Sequence, residues 1–176
     1  MKHWMVVLLV CVGCGSSSPT SSPEPGAPEG QMVFILSAEV EAYIGRVQRS
    51  FESVAVMISE YTVISQSWMR GQTSRYWTQQ YTVNLINRVE LLREQVRGVR
   101  PENTELRLIH TEYEEALKAY QEAFELFLRE TAFEIPIVSQ EVNNKIAEGN
   151  VHLIRFQVVL SNWTGRSLDF LRQAVG

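Results

Sequence analysis

Cysteine is absent from the body of this chain. Its two cysteines, Cys11 and Cys14, both fall at the extreme N-terminus of a 176-residue sequence. Beyond them there is no thiol nucleophile, no disulfide and no thiolate cluster, so the body must be held together by packing. Histidine is almost as scarce: apart from His3, only His110 and His152 occur. Neither has a glutamate three residues before it, since Arg107 and Gly149 stand there, and this excludes the paired Glu-x-x-His ligands of di-iron bundles. There is no Cys-x-x-Cys-His haem attachment, no Gly-x-Ser-x-Gly elbow and no phosphate-binding glycine loop. No excess of positive charge exists either. Sixteen Lys and Arg stand against 20 Asp and Glu, a formal net charge of −4, which argues against nucleic acid or an anionic membrane surface as partner. No apolar run reaches the roughly 20 residues needed to cross a bilayer. These absences leave no constellation for an enzyme, and none is expected.

What is present begins with an N-terminal leader. Lys2 and His3 precede an unbroken apolar run from Trp4 to Val12, then Gly13, Cys14 and the polar stretch Gly15-Ser-Ser-Ser-Pro19. A run of this length at the chain start reads as the hydrophobic region of an export signal. The junction Gly13-Cys14 resembles the lipobox of bacterial lipoproteins, although Cys11 stands at the position where that motif most often has leucine. The resemblance implies a signal peptide over 1–13, cleavage before Cys14 and lipidation of that cysteine. It also implies a location in the bacterial cell envelope, on the periplasmic face of the outer membrane in a two-membrane host, because Gly15 rather than Asp follows Cys14. Cleavage removes Lys2 alone among the charged residues, leaving 15 bases against 20 acids, or −5. Residues 14–32 carry Ser, Pro, Gly, Thr and Glu without apolar periodicity, the composition of a disordered tether.

From residue 33 to 176 the pattern is helical. Val40, Ile44, Val47, Phe51, Val54, Ile58, Tyr61, Ser65 and Trp68 alternate steps of four and three, an a/d seam. Ser37 is the expected N-cap and Gly71 the expected stop. A second seam takes Trp77, Tyr81, Leu85, Val89, Leu92, Val96 and Val99 and breaks before Pro101. The third takes Leu106, His110, Tyr113, Leu117, Tyr120, Phe124, Phe127 and Thr131, widened by Ile109, Ala116 and Ala123, with Pro101 and Glu102 at its start. The fourth runs Val142, Ile146, Gly149, Leu153, Phe156, Leu160, Trp163, Ser167 and Phe170, weakened by Gly149 and Gly165. Helices of roughly 25–37 residues with short connections predict an all-α, up-down-up-down four-helix bundle. Two helical hairpins that pair with a second copy are the alternative. The spacing Pro101-x4-Leu106-x3-His110-x2-Tyr113-x2-Ala116-Leu117-x2-Tyr120 is similar to one found in helical bacterial lipoproteins and implies no activity.

Two features invite a functional reading. The connections 67–74 and 131–137 are apolar for loops, and Trp68, Met69, Tyr76, Trp77, Phe133, Ile135 and Ile137 could form one membrane-distal patch for a protein partner. They could equally cap the core. The second feature is polar intrusion into the seams: His110, Tyr113, Tyr120, Ser65 and Asn87. His110 with Glu114 one turn on could supply half a metal site. The plainer reading pairs His110 with a neighbouring polar group, Tyr61, Asn84 or Asn87 being candidates. The glutamates of the third helix fall mostly off its seam and read as a solvated face. The expected function is therefore a membrane-tethered interaction or accessory module with an envelope protein as partner and no resident cofactor. A bundle that carries a small ligand or cofactor is the alternative.

Overall fold

A computed structural model describes residues 38–133 and 136–165. The leader and tether with Cys14, the expected cap Ser37, Ile135, and the last seam positions Ser167 and Phe170 lie outside the described residues. Four helices form: α1 (Ala38–Met69), α2 (Arg75–Arg97), α3 (Thr104–Glu130) and α4 (Gln140–Thr164), of 32, 23, 27 and 25 residues. No strand occurs among the described residues. The fold is an all-α four-helix bundle.

The helix ends have local causes. α1 stops where Gly71 takes a positive φ of 65°. The Gln72 N–H bonds the Ser67 carbonyl and the Gly71 N–H bonds that of Trp68, the paired closure of a Schellman turn. Ser74, Asn103 and Ser139 cap α2, α3 and α4 by accepting from the N–H three residues on. Pro101 is therefore not the first residue of α3 but a buried loop residue ahead of its cap. Gly165 is not an interior weakness of α4 either. It adopts φ 63° and ends the helix as described, a conformation glycine reaches at no steric cost.

Paired residues give the helix directions. Between α3 and α4 the pairs Glu105–Trp163, Glu112–His152, Tyr120–Asn150 and Glu122–Lys145 run in opposite senses. Between α1 and α3, Tyr43–His110, Ser50–Tyr113 and Tyr61–Phe124 rise together. α1 and α3 are thus parallel, and α3 and α4 antiparallel. The contact of α3 with α4 is the most extensive of the consecutive pairs, and that of α1 with α2 the least.

The core follows the seams of α1, α3 and α4 closely. Every expected α3 position is buried, and in α1 only Ile58 is partly exposed while Tyr43 and Met57 join the core. At mid-height three near-parallel rings from three helices meet. Tyr113 lies 5.0 Å from Phe156 and 6.0 Å from Phe51, and Phe51 lies 6.3 Å from Phe156. Rings at these separations gain beyond their buried area. In α4 the Gly149 Cα faces the Tyr120 ring, which occupies the space a side chain would need.

α2 departs from expectation at its start. Thr78 and Thr82 are buried, whereas Trp77 and Tyr81 are 58% and 57% exposed. Two four-residue steps back from Leu85 rotate about 80° off the seam, while a three and a four return to within about 20° of it. The threonines are tolerated inside because Thr82 Oγ1 donates to the Thr78 carbonyl at 2.7 Å and Thr78 Oγ1 to the Ser74 carbonyl at 3.1 Å.

Candidate functional site

Two regions at opposite ends of the bundle carry side chains that the fold alone does not require. The first lies where α1 turns into α2. Trp68, offered by the sequence as a patch residue, is 5% exposed and belongs to the core; it is an a/d position of α1, so the seam draws it inward. Met69, Tyr76 and Trp77 remain on the surface, and Tyr76 meets Trp77 edge-to-face at 5.6 Å. Tyr81, one turn beyond Trp77, is exposed on the same side. The rotation that buries the threonines is what turns these aromatics outward. Phe133 and Ile137, in the connection from α3 to α4, are also exposed. This connection lies at the same end, since Tyr61 near the end of α1 packs on Phe127 near the end of α3, with ring centroids 5.4 Å apart.

The second region surrounds His110. The imidazole is buried and both nitrogens are engaged: Nε2 lies 3.1 Å from the Val96 carbonyl and Nδ1 lies 3.0 Å from Tyr43 Oη. A carbonyl only accepts, so Nε2 bears the hydrogen and Nδ1 accepts from the tyrosine. Burial pushes the His110 pKa down, against the Glu114 carboxylate and the Val96 carbonyl, which both push it up. Burial also raises the Tyr43 phenol, which keeps its donor proton. The neutral ring thus staples α3 to α1 and α2. Glu114 stands 3.9 Å from Nε2, but that nitrogen carries its proton toward Val96, and neither nitrogen offers a lone pair to a metal. No group of three or more metal-ligating side chains forms among the described residues. The partners suggested by the sequence are not the ones used. Tyr61 sits at the other end of the bundle, and Asn84 and Asn87 are exposed on α2.

The two seam tyrosines of α3 also find partners inside the bundle. Tyr113 donates to Ser50 Oγ at 3.0 Å and Tyr120 to Asn150 Oδ1 at 2.7 Å. Four of the α3 glutamates reach α4 or its cap: Glu105 accepts from Trp163 Nε1 at 2.5 Å, Glu112 pairs with His152 at 2.7 Å, Glu122 with Lys145 at 2.7 Å, and Glu130 accepts from the Ser139 N–H at 2.9 Å. No protein-family model, no curated protein and no solved structure matches the chain.

Around the His110 staple the surface opens into clefts. One of about 410 Å³ lies between α1 and α2 with His110 at its floor, and a neighbour of about 600 Å³ lies along the α2–α3 connection. Sequence reading did not single out the arginines that line them. The signal was available: Arg46, Arg49, Ser50 and Ser53 recur at steps of three, one and three, a polar stripe beside the α1 seam.

Proposed function

We propose that the protein is a lipid-tethered accessory module of the bacterial cell envelope that docks a protein partner through the aromatic surface at the α1–α2 end. The observation that carries this reading is the exposure of Tyr76, Trp77 and Tyr81 together on the first two turns of α2, beside Met69. Over these two turns α2 buries two threonines and leaves three large aromatics in water, so its apolar weight there lies on the outside. Aromatics and Met are enriched at the cores of protein interfaces and supply much of their binding energy. Anchorage through Cys14 rests on the leader pattern. No helix among the described residues is long and apolar enough to cross a membrane.

The test is a paired substitution, Tyr76→Ser with Trp77→Ser, against a control pair in the opposite connection, Arg100→Ser with Glu102→Ser. Cross-linking in membranes followed by affinity purification should give adducts with the wild type and the control, and lose them with the aromatic pair at unchanged helical content. Retention of the same adducts by the aromatic pair refutes the docking surface.

A further inference from the structure

The cleft between α1 and α2 is cationic at its rim and apolar at its floor. Arg46 and Arg49 project into it from one face of α1, and Val47, Leu92, Val96 and Val99 supply apolar wall. No carboxylate lines it. Neither arginine makes an ion pair or side-chain hydrogen bond among the described residues, and neither does Gln95 on the opposite wall. Elsewhere on the bundle Arg88 pairs with Glu60 and Arg93 with Gln121, while Arg70, Arg75, Arg129 and Arg155 have no side-chain partner among the described residues. In a chain with 20 acidic residues and a net charge of −4, two neighbouring guanidinium groups without a carboxylate are a local reversal of sign.

The reversal extends beyond the cleft. Arg97, Arg100 and Arg107 line the adjoining space, which shares Val99 and His110 with the first. Arg107 Nη2 donates to the Glu102 carbonyl, while Arg97 and Arg100 have no carboxylate within ion-pair distance among the described residues. Arg46 and Arg100 meet again around a smaller space of about 210 Å³ at Pro101. The carboxylates nearby are Glu39, Glu102 and Glu114. Glu39 accepts from the Glu102 N–H and Glu114 faces His110. The floor itself contributes no charge, because His110 is held neutral between Tyr43 and Val96. The positive field at the cleft therefore comes from guanidinium groups, which bind carboxylate and phosphate in a two-pronged geometry.

We propose that this α1–α2 cleft binds a small anionic amphiphile, its carboxylate or phosphate head held by Arg46 and Arg49 and its apolar body laid on Val47, Leu92, Val96 and Val99. The volume falls in the range of small-molecule sites, which are mostly apolar with a few placed polar groups. The α1–α2 contact is the least extensive of the consecutive pairs, so a ligand here enters without breaking the α3–α4 core. This binding is independent of the aromatic surface at the other end.

The experiment uses the full chain in nanodiscs of neutral phosphatidylcholine, titrated calorimetrically with octanoate and, as the uncharged control of equal length, octanol, with empty discs subtracted. Octanoate should bind and octanol should bind about tenfold more weakly or worse, the worth of a charge-assisted contact. Arg46→Gln with Arg49→Gln should weaken octanoate about tenfold or more. The charge-keeping pair Arg46→Lys with Arg49→Lys, which loses the two-pronged contact but not the charge, should fall between the wild type and the Gln pair, and Arg88→Gln should retain all of the affinity. Absence of octanoate binding, equal binding of octanol, or wild-type affinity in the Gln pair each overturns the proposal. Phosphatidylglycerol added to the discs separates the sources of the ligand. Competition with octanoate that depends on Arg46 and Arg49 identifies a membrane lipid, and undiminished binding identifies a soluble amphiphile.

Discussion

Replacing Gly149 by alanine sets two effects of similar size against each other, and the structure decides the sign. A Cβ at this position would stand 2.6 Å from Tyr120 Cε1, 2.8 Å from Cδ1 and 2.9 Å from Cζ, where carbon atoms prefer about 3.5–4.0 Å. The ring has little room to withdraw. It is fully buried, and its hydroxyl is tied to Asn150 Oδ1 at 2.7 Å, on the residue next to the glycine. Sliding the ring away from residue 149 pulls on that bond, and moving α4 outward opens the most extensive helix pair of the bundle. Such overpacking costs about 1–3 kcal/mol. Against it, alanine in a helix interior is favoured over glycine by about 0.8–1.0 kcal/mol. The expected net is a loss of about 0–2 kcal/mol, or a melting temperature lower by up to roughly 4–8 °C for a chain of this size. Tyr120→Leu supplies the control, since it removes the ring that the new methyl meets. In that background Gly149→Ala should recover its helix preference and stabilise by up to about 1 kcal/mol, a coupling between sites in contact. Urea denaturation followed by far-UV circular dichroism on the four proteins measures the cycle. Stabilisation by Gly149→Ala of equal size in both backgrounds would refute the close approach of Tyr120.

Phe156→Ala removes the ring that stacks on both Tyr113 and Phe51 and should cost about 3–5 kcal/mol, whereas Trp77→Ala, at an exposed position, should stay within about 0.5 kcal/mol; denaturant midpoints compare them. His110 has its pKa lowered in the folded protein, so the folded state binds fewer protons than the unfolded one, and stability is full above about pH 6.5 and falls as pH drops below it. A pH series of melting temperatures should show that slope in the wild type and lose it in His110→Gln, which should also cost about 1–2 kcal/mol through a poorer bond to Val96 or Tyr43. An unchanged slope would remove His110 as its source. The leader predicts that the protein partitions into membranes and that Cys14→Ala releases it or leaves it unprocessed; the intact mass of the membrane form checks this, because stable anchoring takes more than one acyl chain.

The sequence by itself determined the helices and most of the inward-facing residues. Heptad spacing is a local property, and a stripe of apolar side chains at steps of three and four has one economical burial. Thus α3 buries every residue its spacing names, and α1 all but Ile58. Gly71 stopped α1 for an equally local reason, its free access to positive φ. Tertiary structure decided the rest, because it depends on which chain segment comes opposite. Trp77 and Tyr81 satisfy an apolar pattern as well as Thr78 and Thr82 satisfy a spacing one, and only docking against α1 and α3 chose the threonines for the interior. Trp68, apolar and next to a loop, went to the core rather than the surface. His110 could have bonded any polar group within reach, and its partners were fixed by the residues of α1 and α2 brought to its height, Tyr43 and Val96. Gly149 is a weak point of α4 by helix preference alone, and only the Tyr120 ring packed against it accounts for its missing side chain. The arginines of the cleft are far apart in sequence, at 46 and 49 and again at 97, 100 and 107. They converge because antiparallel packing folds the end of α2 back beside the start of α1, a juxtaposition that no local pattern encodes.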